Sequence, residues 1–221
     1  MKRILMKRLA LSVGAAALLS GALTACVPLV VGGAVAGGSL VATDRRTSGA
    51  QLEDEGIELR AANQIRSTLG TRVRVSVTSY NRQVLLTGEV PNLQDKQLVE
   101  QVVSRVENVA SVVNELAVLN SPSLVERSSD ALVTGRVKAM LLDSKDLQSN
   151  AFKVVTERGT TYLMGRVTQR EADQATNVVR TTPGVQKVIR LFEIISDQEL
   201  ARMLPTPAAK PQPAAATPAG S

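Results

Sequence analysis

The residue types that most often perform catalysis are almost missing from this sequence. Its 221 residues include no histidine and a single cysteine, Cys26. The chain therefore lacks the commonest general base, the usual partner of a serine or cysteine nucleophile, and most ligand sets for transition metals. Aspartate, glutamate and lysine remain, but no pair of carboxylates has a spacing that suggests acid–base chemistry. We expect a protein that is not an enzyme and that holds no cofactor and no metal.

Cys26 lies at the end of a typical export signal. Four basic residues among the first eight precede an apolar run over residues 9–19, which is the pattern of a secretory signal peptide. The signal ends in Leu23-Thr24-Ala25-Cys26, which resembles a bacterial lipobox, where the cysteine sulfur receives a diacylglyceryl group and the new N-terminus carries palmitate. The alternative is a free or cross-linking thiol, although a lone cysteine is unusual in an exported chain. We expect residues 1–25 to be removed and lipid on Cys26 to anchor the protein without spanning the membrane.

The formal charge argues against nucleic acid as a partner. The whole sequence carries +6, but residues 1–25 hold four basic and no acidic residues, so the remainder has 22 Lys and Arg against 20 Asp and Glu, or +2. Aromatic residues make up only 2% of the chain, which leaves few side chains for bases to stack on. A small positive surplus is compatible with weak attraction to anionic lipid.

Residues 26–51 are predicted to form a tether between the lipid and the folded part. The apolar stretch at residues 27–42 is too short and too rich in glycine to cross a bilayer as a helix. Arg45 and Arg46 follow this stretch. They either belong to a solvated linker, which is the simpler reading, or lie near lipid headgroups.

An internal repeat is the main structural signal. Residues 75–90 align without a gap on residues 152–167, at an offset of 77. Apolar spacing predicts the order helix, strand, strand, helix, strand in each copy of about 70 residues. The first copy has its elements at residues 59–69, 73–77, 84–90, 98–106 and 112–118. The second has them at residues 130–142, 152–156, 161–167, 168–181 and 185–195.

These elements predict an α+β fold with two tandem α-β-β-α-β domains. Each three-stranded mixed sheet has one apolar face, and both helices must cover it. The domains are placed at residues 52–120 and 127–196, with a linker at 121–126 and a disordered Pro/Ala-rich tail at 197–221. Because such small domains are only marginally stable alone, the two copies should pack against each other.

Four residues of the repeat have specific expected places. Gly88 and Gly165 occupy matching positions near the end of the second strand, where a glycine relieves crowding. Tyr80 is predicted in a turn, as a contact residue, and Tyr162 at the edge of the core. The two glycines have a sufficient structural explanation in the sequence pattern.

The strand end Gly-x-Val, present at Gly88–Val90 and Gly165–Val167, resembles that of BON domains (bacterial OsmY and nodulation domains). Together with the lipobox and the stretch at residues 44–51, the chain resembles the DolP/YraP group of outer-membrane lipoproteins with two BON domains. The resemblance implies a periplasm-facing outer-membrane protein without catalytic activity. It also implies binding of anionic phospholipid (phosphatidylglycerol, cardiolipin) by the second domain and support of outer-membrane integrity and of the outer-membrane assembly complex.

Differences between the copies point to one helix as a binding site. Arg60, Gln64 and Thr68 of the first copy correspond to an apolar and basic series in the second: Leu132, Arg136 and Met140. These three follow i, i+4, i+8 on one helix face that has no place in the core. The series suits insertion into a lipid interface, with the arginine on phosphate.

Two lysines, Lys138 and Lys145, are expected to add positive charge at the edges of this surface. Two alternatives to lipid stay open. The same face of the helix could pack on the first copy, or it could contact a partner protein.

Overall fold

The computed structural model describes residues 44–119 and 124–203, with side chains from residue 127 onward in the second range. Cys26, the predicted signal peptide, most of the predicted tether and the chain after residue 203 lie outside the described residues. Both repeats belong to one compact unit.

Domain 1 follows the predicted order of elements. It consists of α1 (Ser48–Leu69), β1 (Arg74–Tyr80), β2 (Gln83–Val90), α2 (Leu93–Ser104), β3 (Ser111–Asn114) and β4 (Ala117–Val118). β1 pairs with β2 antiparallel, whereas β3 and β4 both pair with β2 parallel. The third strand of the prediction is thus interrupted into two short pieces.

Domain 2 repeats the same topology. It consists of α3 (Leu124–Asp143), a short 3-10 turn (Ser149–Ala151), β5 (Lys153–Glu157), β6 (Thr160–Val167), α4 (Gln169–Arg180), β7 (Lys187–Ile194) and α5 (Asp197–Met203). The sheet order is β5-β6-β7, with β7 parallel to β6 over eight positions. The predicted α+β fold with two helices on each mixed sheet is confirmed.

Three predicted boundaries differ from the structure. α1 begins at Ser48, inside the segment assigned to the tether, and α3 begins at Leu124, inside the segment assigned to the linker. α5 occupies Asp197–Met203, where a disordered tail was expected. Thr47 explains the first difference, because its side chain accepts a hydrogen bond from the amide of Ala50 and caps α1.

The buried side of α1 is set by a four-residue spacing. Ile57, Ala61, Ile65 and Leu69 are buried against the first sheet. Leu59, predicted on this apolar side, is 67% exposed instead. A helix turns 100° per residue, so a leucine two positions from Ile57 lies far around the helix from the core.

The strands β2 and β6 are buried on both faces. In β2, Leu86 packs into the domain 1 core beneath the helices, and its neighbour Leu85 points to the other side. There Leu85 and Tyr80 meet Tyr162 and Met164 of domain 2 in a shared cluster. The predicted packing of the two copies is confirmed, and the contact is made by the helix-free faces of the two sheets.

This contact also corrects the places of both tyrosines. Tyr80 is the last residue of β1 rather than a turn residue, and its hydroxyl lies 3.4 Å from the backbone nitrogen of Arg166 in the other domain. Tyr162 lies in the same contact rather than at the edge of the domain 2 core. A sequence pattern that alternates every second residue does not distinguish a solvent face from a face that packs on another sheet.

The matching glycines lie where the backbone leaves no room for a side chain. A Cβ on Gly88 would come within 2.1 Å of the Arg74 carbonyl oxygen, and Gly88 has a φ of 113°. A Cβ on Gly165 would come within 2.4 Å of the Ala151 carbonyl oxygen. The expected crowding at both positions is confirmed, because a neighbouring backbone passes directly over each glycine.

Candidate membrane-binding site

The helix α3 has a core side and an exposed side. Val133, Val137 and Leu141 are buried in the domain 2 core. On the other side, Leu132 is 63% exposed and Met140 is 41% exposed. The two sheets meet at the opposite side of the domain, so this face of α3 is not covered by domain 1.

Sequence reasoning missed a second exposed leucine on this helix, Leu142, which is 70% exposed. Leu132, Gly135, Ala139 and Leu142 follow a spacing of three, four and three residues, which places them on one helix face. All four are exposed. We call these four residues the outer strip of α3. The sequence contains the i, i+3, i+7, i+10 pattern of these four residues. The series predicted from the sequence, Leu132, Arg136 and Met140, has a spacing of four, which turns gradually around the helix and brings Met140 close to the core side.

Positive charges flank the outer strip. With 100° per residue, Arg136 and Lys138 fall on opposite sides of the strip, and Lys145 follows in the loop after α3. All three are exposed, and the Arg136 guanidinium lies 3.4 Å from the Pro183 carbonyl oxygen. With the described side chains, those of residues 44–119 and 127–203, none of these three residues forms an ion pair. Their charges are therefore available to an anionic ligand.

The chain enters the folded part beside the same helix. Asp44, Lys138 and Leu142 line one surface depression next to the C-terminal half of α3. The first described residue, Asp44, therefore lies next to the outer strip. Nothing in the sequence pattern predicted this neighbourhood.

Arg45 and Arg46 are neither solvated linker residues nor available to headgroups. Arg45 is only 7% exposed, and its guanidinium makes two hydrogen bonds to the Glu171 carboxylate, at 2.6 and 2.8 Å. A third bond of 3.0 Å goes to the Arg166 carbonyl oxygen. Both acceptors belong to domain 2. The expectation of a solvated pair was wrong for this residue, because the buried Glu171 supplies a charge partner.

Arg46 contacts domain 1 instead. Its guanidinium donates to the Asp54 carboxylate at 2.7 Å and lies over the Tyr80 ring at 4.3 Å from the ring centre. A second carboxylate, that of Asp44, accepts from the same guanidinium at 2.7 Å. The two neighbouring arginines thus bind opposite domains. We call residues 44–46 the arginine strap.

The strap shifts the titration of the carboxylates that it contacts. Burial by itself raises the pKa of Asp54, but hydrogen bonds from the Ser79 hydroxyl, from the Arg82 amide and from Arg46 outweigh it and leave the pKa lowered. Burial likewise opposes ionisation of Glu171, yet hydrogen bonds from Arg45 and from the Thr168 amide leave its pKa lowered. Both groups are therefore held as carboxylates in the folded protein.

Two general features of the described part bear on the type of site. No helix there is long and apolar enough to span a bilayer. In the same ranges, no cluster of three or more cysteine or acidic side chains is arranged to hold a metal ion.

The two repeated α-β-β-α-β domains are BON domains, since the family named "BON domain" matches residues 54–120 and 129–196. The chain therefore belongs to the BON-domain family. It is 35% identical over 192 residues to the "Outer membrane lipoprotein DolP" of Haemophilus influenzae, which covers 86% of this chain and 97% of that protein. The predicted resemblance to dual-BON proteins of the DolP type is confirmed by this similarity.

Other similarities are lower. The chain is 30% identical over 154 residues to the "21 kDa hemolysin" of Actinobacillus pleuropneumoniae, covering 69% of this chain and 79% of that protein. The solved structure of CdsD, a structural protein of the type III secretion system of Chlamydia trachomatis, is similar at 15% identity over 64% of this chain and 96% of that one. Its TM-score of 0.28 is too low to bear on the fold.

Proposed function

We propose that this protein is a non-enzymatic lipoprotein of the outer membrane, facing the periplasm, whose second BON domain binds anionic phospholipid through α3. Phosphatidylglycerol and cardiolipin are the expected ligands, and support of outer-membrane integrity is the expected role. The lipobox at Cys26 supports the anchor, and the similarity to DolP of Haemophilus influenzae supports the location.

The exposed outer strip of α3, flanked by unpaired cations, is the observation that carries this proposal. An interfacial helix needs an apolar face that can enter the headgroup region and basic side chains at its borders. Leu132 and Leu142 supply the first property, and Arg136 and Lys138 supply the second. The corresponding helix of domain 1 has Arg60, Gln64 and Thr68 in place of Leu132, Arg136 and Met140. It also exposes two leucines, Leu52 and Leu59, but the neighbouring Arg60 is paired with Glu53 at 2.6 Å.

The expected binding free energy of α3 is small, so membrane binding should depend on the proposed lipid anchor at Cys26. Full burial of one leucine side chain stabilises by about 1.5–3 kcal/mol, and each Lys or Arg near an anionic surface adds about 1 kcal/mol. Partial insertion of two leucines and three cations gives weak binding for a free domain. Residues 27–43 span at most about 60 Å from a lipid on Cys26 to Asp44, so an anchored domain meets the bilayer at high effective concentration.

A vesicle flotation assay tests the proposal. We would mix the mature chain carrying Cys26→Ser with phosphatidylglycerol vesicles and compare Leu132→Glu with Leu59→Glu. Leu59 is an equally exposed leucine on the equivalent helix of domain 1 and provides a matched control. Leu132→Glu should weaken binding by about tenfold or more, since it removes an inserted leucine and adds a negative charge. Equal binding of all three proteins would remove the lipid assignment.

A protein-binding adaptor for the outer-membrane assembly machinery is the second candidate. An exposed apolar strip also suits a protein partner. Photocrosslinking from position 132 in living cells separates the two functions. Lipid adducts should dominate if α3 lies on the bilayer, and protein adducts should dominate if the strip is a docking surface.

A further inference from the structure

Each of the two domains carries a surface groove beside the strand that follows its second helix. In domain 2 the groove lies between α4 and β7, and in domain 1 it lies between α2 and β3. The lining residues correspond at an offset of 76, which makes domain 1 an internal comparison for domain 2. The corresponding pairs are Gln97/Asp173, Glu100/Thr176, Gln101/Asn177, Ser104/Arg180, Val109/Val185, Ala110/Gln186, Ser111/Lys187 and Val112/Val188.

The groove of domain 2 is positively charged, and that of domain 1 is not. Arg180 and Lys187 replace two serines of domain 1, and Arg190 also lines the domain 2 groove. Arg190 is paired with Asp173 at 3.0 Å. Arg180 and Lys187 are exposed, and neither forms an ion pair with any residue that the structure describes. Two free cations therefore line this groove.

The strand β7 forms the edge of its sheet beside the groove. It pairs with β6 along all eight residues, and no strand in the described ranges pairs with its other side. The amides of Lys187 and Ile195 donate towards β6, to Gly159 and Val167. Backbone groups alternate in direction along a strand, so those of the even-numbered residues, 188 to 194, point away from β6.

At the equivalent edge of domain 1, side chains close the backbone groups of one residue, Leu116, which lies between β3 and β4. The amide of Leu116 donates to the Asn114 side chain at 3.3 Å, and Lys96 donates to the Leu116 carbonyl oxygen at 2.7 Å. At the same offset of 76, Phe192 corresponds to Leu116, and Ala172 and Arg190 correspond to Lys96 and Asn114.

No such closure exists at the domain 2 edge. The Arg190 side chain bonds Asp173 instead of the strand backbone, and Ala172 has no side-chain donor. Among residues 124–203, no side-chain hydrogen bond reaches the outward backbone groups of β7. An open edge strand is a template for a further strand, and proteins usually protect one that has no use.

We propose that the groove between α4 and β7 binds an extended, acidic segment of another protein as an added strand. The open backbone edge supplies the pairing, and the free Arg180 and Lys187 select negative side chains. A second copy of this chain would bring the same cations together and is disfavoured by repulsion. α3 packs over β5 and α4 over β7, so the groove and the outer strip lie on different parts of the domain.

A pair of labelled peptides tests this inference. One short peptide alternates valine with glutamate, and the other alternates valine with lysine. Fluorescence anisotropy with the mature chain carrying Cys26→Ser should detect binding of the glutamate peptide only. The double variant Arg180→Glu, Lys187→Glu should bind this peptide about tenfold more weakly or worse, because both free cations are reversed. The matched variant Ser104→Arg, Ser111→Lys places cations beside the edge of domain 1, where side chains already bond the backbone of Leu116, and should add no second site.

Amide hydrogen exchange distinguishes strand addition from simple charge attraction. The glutamate peptide should slow exchange at Arg190 and Phe192, whose amides point outward, and leave β3 unchanged. Three results would overturn the inference. The lysine peptide could bind as well as the glutamate peptide, amide exchange along β7 could stay unchanged, or the protein could form a dimer that Arg180→Glu, Lys187→Glu breaks. This double variant should also retain binding to phosphatidylglycerol vesicles. If the double variant lost vesicle binding, the groove would belong to the lipid-binding surface instead. If Leu132→Glu left vesicle binding unchanged, the proposal for α3 would fail, but binding of the glutamate peptide would be unaffected.

Discussion

Arg45 and Glu171 form a buried bidentate ion pair between residues 126 positions apart in the chain. Glu171 also completes the capping box of α4, where its carboxylate accepts from the Thr168 amide at 2.9 Å. The neighbouring Arg46 binds Asp54 in domain 1. The strap therefore fixes residues 44–46 to both domains, and Asp44 lies beside α3.

Removal of Arg45 should destabilise the fold strongly. Arg45→Ala leaves the Glu171 carboxylate buried without its partner, which costs about 3–5 kcal/mol in the free energy of unfolding. Chemical denaturation measures this loss. Arg190→Ala is the control, since it breaks an exposed ion pair that contributes about 1 kcal/mol or less. A similar small effect of both substitutions would show that the strap does not hold the structure.

Stability should fall in acid. The pKa values of Asp54 and Glu171 are lower in the folded than in the unfolded chain. Their contribution to the free energy of unfolding is therefore complete above the ordinary carboxylate pKa of about 4. It is lost as the pH falls through the folded pKa values. Glu157, whose pKa is raised by burial, acts in the opposite direction and reduces the slope.

Denaturation between about pH 6 and pH 3 checks this dependence. Asp54→Asn should lower the stability at the upper pH and flatten the decline towards acid. Glu55→Gln, at an exposed neighbouring position, should leave the slope as it is. A wild-type protein whose stability does not change over this range would contradict the assigned roles of Asp54 and Glu171.

Gly88 should not tolerate any side chain. Gly88→Ala places a Cβ 2.1 Å from the Arg74 carbonyl oxygen at a positive φ, so we expect a loss of more than about 2 kcal/mol in unfolding free energy. Gly135→Ala is the matched control, because nothing lies within 4 Å of its Cβ position. There the gain in helix propensity should stabilise by about 0.5–1 kcal/mol. Equal melting temperatures for the two variants would be inconsistent with the crowded strand end.

Much of the fold was predictable because periodicity reports local structure directly. Alternating valines predicted β1, and the repeat extended the predicted order of elements to domain 2. The strands of the two copies align at an offset of 77, whereas the buried helix residues Val103 and Val179 correspond at an offset of 76. No single apolar pattern in the sequence reveals this one-residue difference.

The long-range contacts could not be read from the sequence. Arg45 and Glu171 have no spacing relationship, and their pairing depends on how the two sheets meet. The same is true of Tyr80, whose burial comes from the other domain. In the candidate site, Leu132 followed from comparison of the copies. Leu142 was missed because no residue of the first copy marked its position as unusual.

Depth-dependent quenching of a label on the outer strip tests the central claim most directly. Cys26 is the only cysteine, so Cys26→Ser with Leu142→Cys gives one site for a fluorophore, and Leu59→Cys gives the matched control. We predict that brominated phosphatidylglycerol vesicles quench the label at position 142 and leave the label at position 59 unchanged. Equal quenching at both positions, or none at either, would contradict insertion of α3 into the bilayer.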